Sequence, residues 1–187
     1  MPPTVLLPQY WIDQCRRYGH ERVAWYKADP RRCLRSVKGL ELNPETQART
    51  KMGEVAAALH LGLDPHTAVR WKVEIEPGDE LGWDIIWQGH KIDVKTIDHY
   101  KLYLCWNCTK ADRFEKSDFD LLLLIEDDCP LFTIRGWLTK QEFREMRSFA
   151  EPGHPLLPGT AYVWKGLLHP EEDLAGLVPE AGLVGAL

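Results

Sequence analysis

Asp84, Asp93 and Lys95 fall within one fifteen-residue stretch, Gly82 to Thr96, in which two short apolar runs meet at a glycine. Two carboxylates on neighbouring strands can hold a divalent cation, and an ammonium beside them can stabilise charge developing on a phosphate. The geometry depends on register. Strand residues alternate faces, so Asp93 and Lys95 point the same way, as do Asp84 and Ile86. A two-residue loop at Gly89-His90, with glycine at the first central position, pairs Gln88 with Lys91 and sets Asp84 opposite Lys95. Asp84, Asp93 and Lys95 then share one face. A three-residue loop would set Asp84 opposite Val94 and split the group.

The plain alternative is a solvent-facing hairpin side with an ordinary Asp/Lys pair across strands. Three charges on a buried face would each cost several kcal/mol without partners or a metal. An acid-x-Lys triplet is expected about once or twice by chance in a chain with 28 acids, so its surroundings must supply specificity. Upstream, Asn43-Pro44-Glu45 reads as an N-cap, a proline at the first helical position and an early acid, and Gly62 follows the apolar run. A helix is predicted from about Pro44 to Leu61, with Met52, Val55, Ala56 and Leu59 as its buried stripe. Glu54 sits at the edge of that stripe beside Gly53, where a small residue permits close approach to another backbone. Packed on the sheet, this helix would aim Glu54 at Asp84 and Asp93. Most helix glutamates are simply solvated, so Glu54 gains meaning only from the downstream residues.

Gly53-Glu54-Val55-Ala56, then Asp84, then Ile92-Asp93-Val94-Lys95-Thr96 resembles the PD-(D/E)XK superfamily, the restriction-endonuclease-like nucleases. The similarity extends to the order of Phe119 to Ile125, Phe132 to Phe143 and Tyr162-Val163-Trp164, as in small phage or bacterial members, and covers roughly residues 44 to 175. Gly82-Trp83 stands where the namesake motif has proline, and the second acid is Asp rather than Glu. The resemblance implies an α/β fold, a restriction-endonuclease-like sandwich with a mixed central sheet flanked by helices. It also implies Mg²⁺ (or Mn²⁺) held by Asp84, Asp93 and the Val94 carbonyl, with Glu54 binding a second metal or fixing a water. Lys95 would orient the attacking water or stabilise negative charge. The implied activity is that of a metal-dependent deoxyribonuclease. A Holliday-junction-type resolvase, which would need a homodimer presenting two sites, and a catalytically silent DNA-binding or interaction module are its rivals.

Net charge is −5, which alone disfavours binding a polyanion, but its distribution is uneven. Residues 1 to 50 hold nine Lys/Arg against five acids, whereas the remainder holds fourteen against twenty-three. Arg16, Arg17, Arg31 and Arg32 head a basic set around a predicted helix from about Gln9 to Lys27, interleaved with Tyr10, Trp11, Tyr18 and Trp25. That mixture suits phosphate neutralisation and base stacking. It equally suits an amphipathic helix with buried aromatics and solvated arginines.

Five cysteines and the lack of a charged start followed by a long apolar run lead to the expectation of a reducing cytoplasm. Cys105-Trp106-Asn107-Cys108 is half a zinc site without a second half, and Cys105 fits the end of a strand better. The expected order is helix 9–27, helix 44–61, strands 69–76, 82–88, 91–97 and 102–106, a link, strands 119–126 and 131–137, helix 139–149 and strand 161–165. This divides into a basic and aromatic helical extension over 1–43, a nuclease-like core over 44–175 and a mobile or loosely docked tail over 176–187.

Overall fold

The computed structural model describes residues 1–28, 42–74, 82–106, 111–156 and 158–177. Arg31, Arg32 and Cys108, and the tail from residue 178 onward, lie outside the described residues. A short strand β1 (Thr4–Leu6) precedes two long helices, α1 (Gln9–Ala28) and α2 (Pro44–His60), and a single helical turn α3 (Pro65–Ala68). The hairpin β2 (Ile85–Trp87) and β3 (His90–Asp98) follows, then β4 (Tyr103–Trp106) and a short helix α4 (Ala111–Lys116). The chain continues through β5 (Leu121–Asp128), β6 (Leu131–Thr139), α5 (Lys140–Met146), β7 (Ser148–Phe149) and β8 (Ala161–Trp164).

The α2 boundaries follow from its sequence. Asn43 Oδ1 accepts from the Glu45 and Thr46 amides at 2.9 and 3.4 Å, and Pro44 takes the first helical position, where its missing N–H costs nothing. At the other end Gly62 adopts φ +71°, while Gly62 N–H bonds Leu59 O and Leu63 N–H bonds Ala58 O. These two bonds make the Schellman arrangement that glycine permits.

The main sheet has five strands in the order β1-β6-β5-β3-β2, with β3 and β5 parallel and all other neighbours antiparallel. The chain is thus of mixed α/β class. One face carries Ile92, Val94, Leu121, Leu123 and Ile125, packed with Met52, Val55 and Ala56 of α2. Ile97, Leu122 and Leu124 face the other way onto Phe114 of α4, Phe143 of α5, and Leu104 and Val163 of a second sheet, β4-β8-β7. Because β5 is covered on both faces, Leu121 to Ile125 is an unbroken apolar run instead of an alternating one. Two glycines set the spacing of the helical layer. A Cβ on Gly19 would stand 2.2 Å from Pro44 O, and one on Gly53 would stand 1.9 Å from Thr96 Oγ1. The α2 backbone therefore lies directly on β3.

Three expectations need correction. Residues 69–74 form no strand: Asp64 Oδ1 caps the turn α3 by accepting from His66 N–H at 3.0 Å, and the extended chain beyond it offers Arg70 O to Lys51 and Val73 O to Arg22. Helix 139–149 is shorter, because Ser148 and Phe149 pair with Tyr162 and Ala161. The β2–β3 loop is Gln88-Gly89, not Gly89-His90; Trp87 pairs with His90 and Ile86 with Lys91. Gln88 at φ +48° and Gly89 at φ +87° form the type I′ geometry that matches strand twist. The register moves by two residues, which keeps every side chain on its expected face.

Candidate functional site

The β2 pairing ends at Ile85–Ile92, and among the described residues no strand pairs with β3 beyond Ile92 on that side. Asp84 occupies that gap. Its amide donates to Ile92 O at 2.8 Å and its Oδ2 accepts from Val94 N–H at 2.8 Å, so its carboxylate stands in for the next rung of the ladder. The corrected register carries Asp84 towards Asp93 instead of Lys95. Asp93 is 5% exposed and faces the β3 side that also bears Lys95 and Ile97. Lys95 Nζ donates to Asp93 Oδ1 at 2.7 Å and lies 2.6 Å from Oδ2, which is buried and lacks a hydrogen bond of acceptable angle.

Glu54 reaches this edge from α2. It is 5% exposed, and Lys51 Nζ donates to its Oε2 at 2.5 Å. Lys51 is itself buried, donates to Arg70 O at 2.9 Å, and stands 4.6 Å from the centroid of the Tyr18 ring. Sequence reasoning passed over Lys51. Its signal was the i, i+3 spacing to Glu54 on one helix face.

Electrostatics tie the four groups together. Burial raises the Asp93 carboxyl to about 8; the Lys95 ammonium opposes the rise, and Asp84 adds to it through charge and hydrogen bonding. Burial likewise raises Glu54 to about 7, opposed by Lys51, reinforced by Asp84 and again opposed by Lys95. For Lys51, burial favours the neutral amine, but the charge of Glu54, Tyr18 and the Glu54 hydrogen bond outweigh it and hold the ammonium above its ordinary value. Asp84 thus acts on both buried acids, one on each side of it. Val94 contributes its amide to Asp84 and its side chain to the core under α2.

Burial is the first cause of the upward shift of both acids, and it is opposed by an ammonium on each, Lys95 on Asp93 and Lys51 on Glu54. Among the described residues no three acid, histidine or cysteine side chains converge to hold a metal. Arg16 and Arg17 are exposed on α1, Arg16 3.9 Å from Glu45. Trp11 is buried against α2, whereas Tyr10 remains exposed. Cys105 is partly buried in β4, and burial pushes its thiol up to about 11. Among the described residues no helix is long and apolar enough to cross a membrane. No protein-family model, curated protein or solved structure matches this chain.

Proposed function

We propose that the chain is a metal-dependent deoxyribonuclease of the PD-(D/E)XK, restriction-endonuclease-like type, with Glu54, Asp84, Asp93 and Lys95 as its site. The observation that carries this reading is the meeting of Asp84 and Asp93 at the open edge of β3, with Lys95 on the second acid and Glu54 coupled to the first. A helix and the hairpin that follows it supply these residues in the order that the superfamily uses. Burying Asp93 and Glu54 carries a desolvation cost that apolar residues of the same volume would avoid.

Asp84 and Asp93 would hold Mg²⁺ (or Mn²⁺) together with the Val94 carbonyl. Bound there, the metal supplies polarisation of the scissile phosphate and a water of lowered pKa. Lys95 would orient the attacking water and stabilise charge on the phosphate oxygens. Glu54, fixed by Lys51, would accept a hydrogen bond from a water at the site. Arg16 and Arg17 would neutralise phosphates of the bound strand.

The test is cleavage of linear, circular, single-stranded and branched DNA with and without Mg²⁺ or Mn²⁺. Lys95→Ala should abolish cutting while metal binding, followed by calorimetry, persists; cutting at the native rate by that variant would defeat the assignment. Preference for branched DNA by a homodimer would select the resolvase form. One observation favours a silent DNA-binding module instead, because each buried carboxylate already has an ammonium partner. Binding of DNA with no cleavage under any metal would establish that second reading.

A further inference from the structure

We infer that the cleft between α1 and the Pro65–Trp71 segment is a stacking site for one unpaired nucleobase, so that the preferred substrate is DNA with a single-stranded tail or flap. This rests on the nuclease reading above and names the form of DNA that the same site takes. The cleft has a volume of about 310 Å³, with Trp11, Tyr18, His66 and Trp71 as its ring surfaces and Arg17 and Glu21 at its mouth. Ligand pockets span roughly 300–1,000 Å³, so this one takes a single flat ring system.

Its walls are preset. Trp71 lies at 15° to Trp11 with centroids 5.9 Å apart, meets Tyr18 edge-on at 82°, and is anchored by Nε1 donating to Pro65 O at 2.9 Å. Arg22 bonds Val73 O and Tyr26, which ties the segment after Trp71 to α1. Rings locked in this way gain stacking energy without losing rotamer freedom on binding. The chemistry at the mouth is nucleotide-like: Arg17 suits a phosphate, and the Glu21 carboxylate accepts from an exocyclic amine. Position completes the argument. Tyr18 lines the cleft and also covers Lys51, and Lys51 holds both Glu54 and the carbonyl of Arg70, the residue before Trp71. A base seated here is separated from Glu54 only by Lys51.

The experiment measures anisotropy of a labelled duplex with an unpaired mixed-sequence tail, against a blunt duplex, in EDTA so that nothing is cut. The native protein should bind the tailed probe more tightly. Trp71→Leu should weaken the tailed probe roughly five- to 150-fold and the blunt one little, and Trp71→Tyr should restore most of the loss. Arg17→Ala, an exposed change, should lower the salt slope on the tailed probe by about 0.7. If the native protein binds both probes and Trp71→Leu weakens both equally or neither, or Arg17→Ala leaves the tailed slope unchanged, the stacking assignment is overturned while the nuclease reading stands. If it binds neither probe, both fall.

Discussion

Asp93→Asn in metal-free protein tests the electrostatics of the site directly. The carboxyl rises from its ordinary 3.8 to about 8, first through burial. A raised acid binds its proton more tightly in the folded chain than in the unfolded one, so folding stability falls as pH climbs through that interval. The contribution is fully present below pH 3.8 and is lost as pH passes 8. A shift of about four units at ~1.36 kcal/mol each sets a ceiling of about 5 kcal/mol on the change. Asparagine keeps the shape and cannot ionise. Other carboxylates, such as Asp98 and Glu142, move in the opposite sense, but they are common to both proteins and cancel in the comparison. Urea unfolding followed by tryptophan fluorescence, in EDTA between pH 4 and 9, should show Asp93→Asn gaining on the native protein by several kcal/mol as pH rises. A difference that stays flat across that range refutes the account of an acid raised by burial. Adding Mg²⁺ should reverse the ranking above pH 8, because only the native site then presents both carboxylates.

Gly53→Ala should destabilise the chain by about 1–3 kcal/mol, since its methyl would meet Thr96 Oγ1 in a filled core. Denaturant unfolding of Gly53→Ala combined with Thr96→Ala should show much of that cost returned, because the colliding hydroxyl makes no hydrogen bond in its buried position. Lys51→Ala leaves Glu54 buried without its counter-ion and should cost about 3–5 kcal/mol at pH 8.5. The same variant should lose much less at pH 5, where Glu54, raised to about 7, is already neutral, and thermal melts at the two pH values read the difference. Replacing Arg16 and Arg17 together by alanine should weaken duplex binding and lower its salt slope by up to about 1.8 while the melting temperature holds, because both side chains are exposed.

Local rules were enough for the helix that carries Glu54. Asn43, Pro44 and Gly62 each satisfy or omit a particular backbone group, and such punctuation is written in single residues. The hairpin was legible in parity but not in register. Gly89 could serve as the first or second central residue of a two-residue turn, and only the twist of the formed strands favours the second, which forces Gln88 to a positive φ. The error of two residues preserved the faces of Asp93 and Lys95 yet moved Asp84 from opposite Lys95 towards Asp93. Neighbouring charge is set by register, and register is settled by tertiary contact.

The segment after Pro65 shows where sequence reasoning stops for a physical reason. Val69 to Glu74 has the apolar alternation of a strand, and strand pairing would have satisfied its carbonyls. In the folded chain two of those carbonyls accept from Lys51 and Arg22 instead, one cation from each long helix. Neither bond could be read from the segment itself, because the donors lie 19 and 51 residues away. The consequence reaches the candidate site. An ammonium held by a backbone carbonyl and an aromatic ring keeps its place when Glu54 gains or loses a proton, so the acid is positioned by a fixed charge rather than by a mobile partner. If Lys51 instead followed Glu54, removing the carboxylate with Glu54→Gln would let the ammonium turn outward and its amine would react with acylating reagents. The geometry predicts that Lys51 stays protected in that variant, as mass spectrometry after brief acetylation would register.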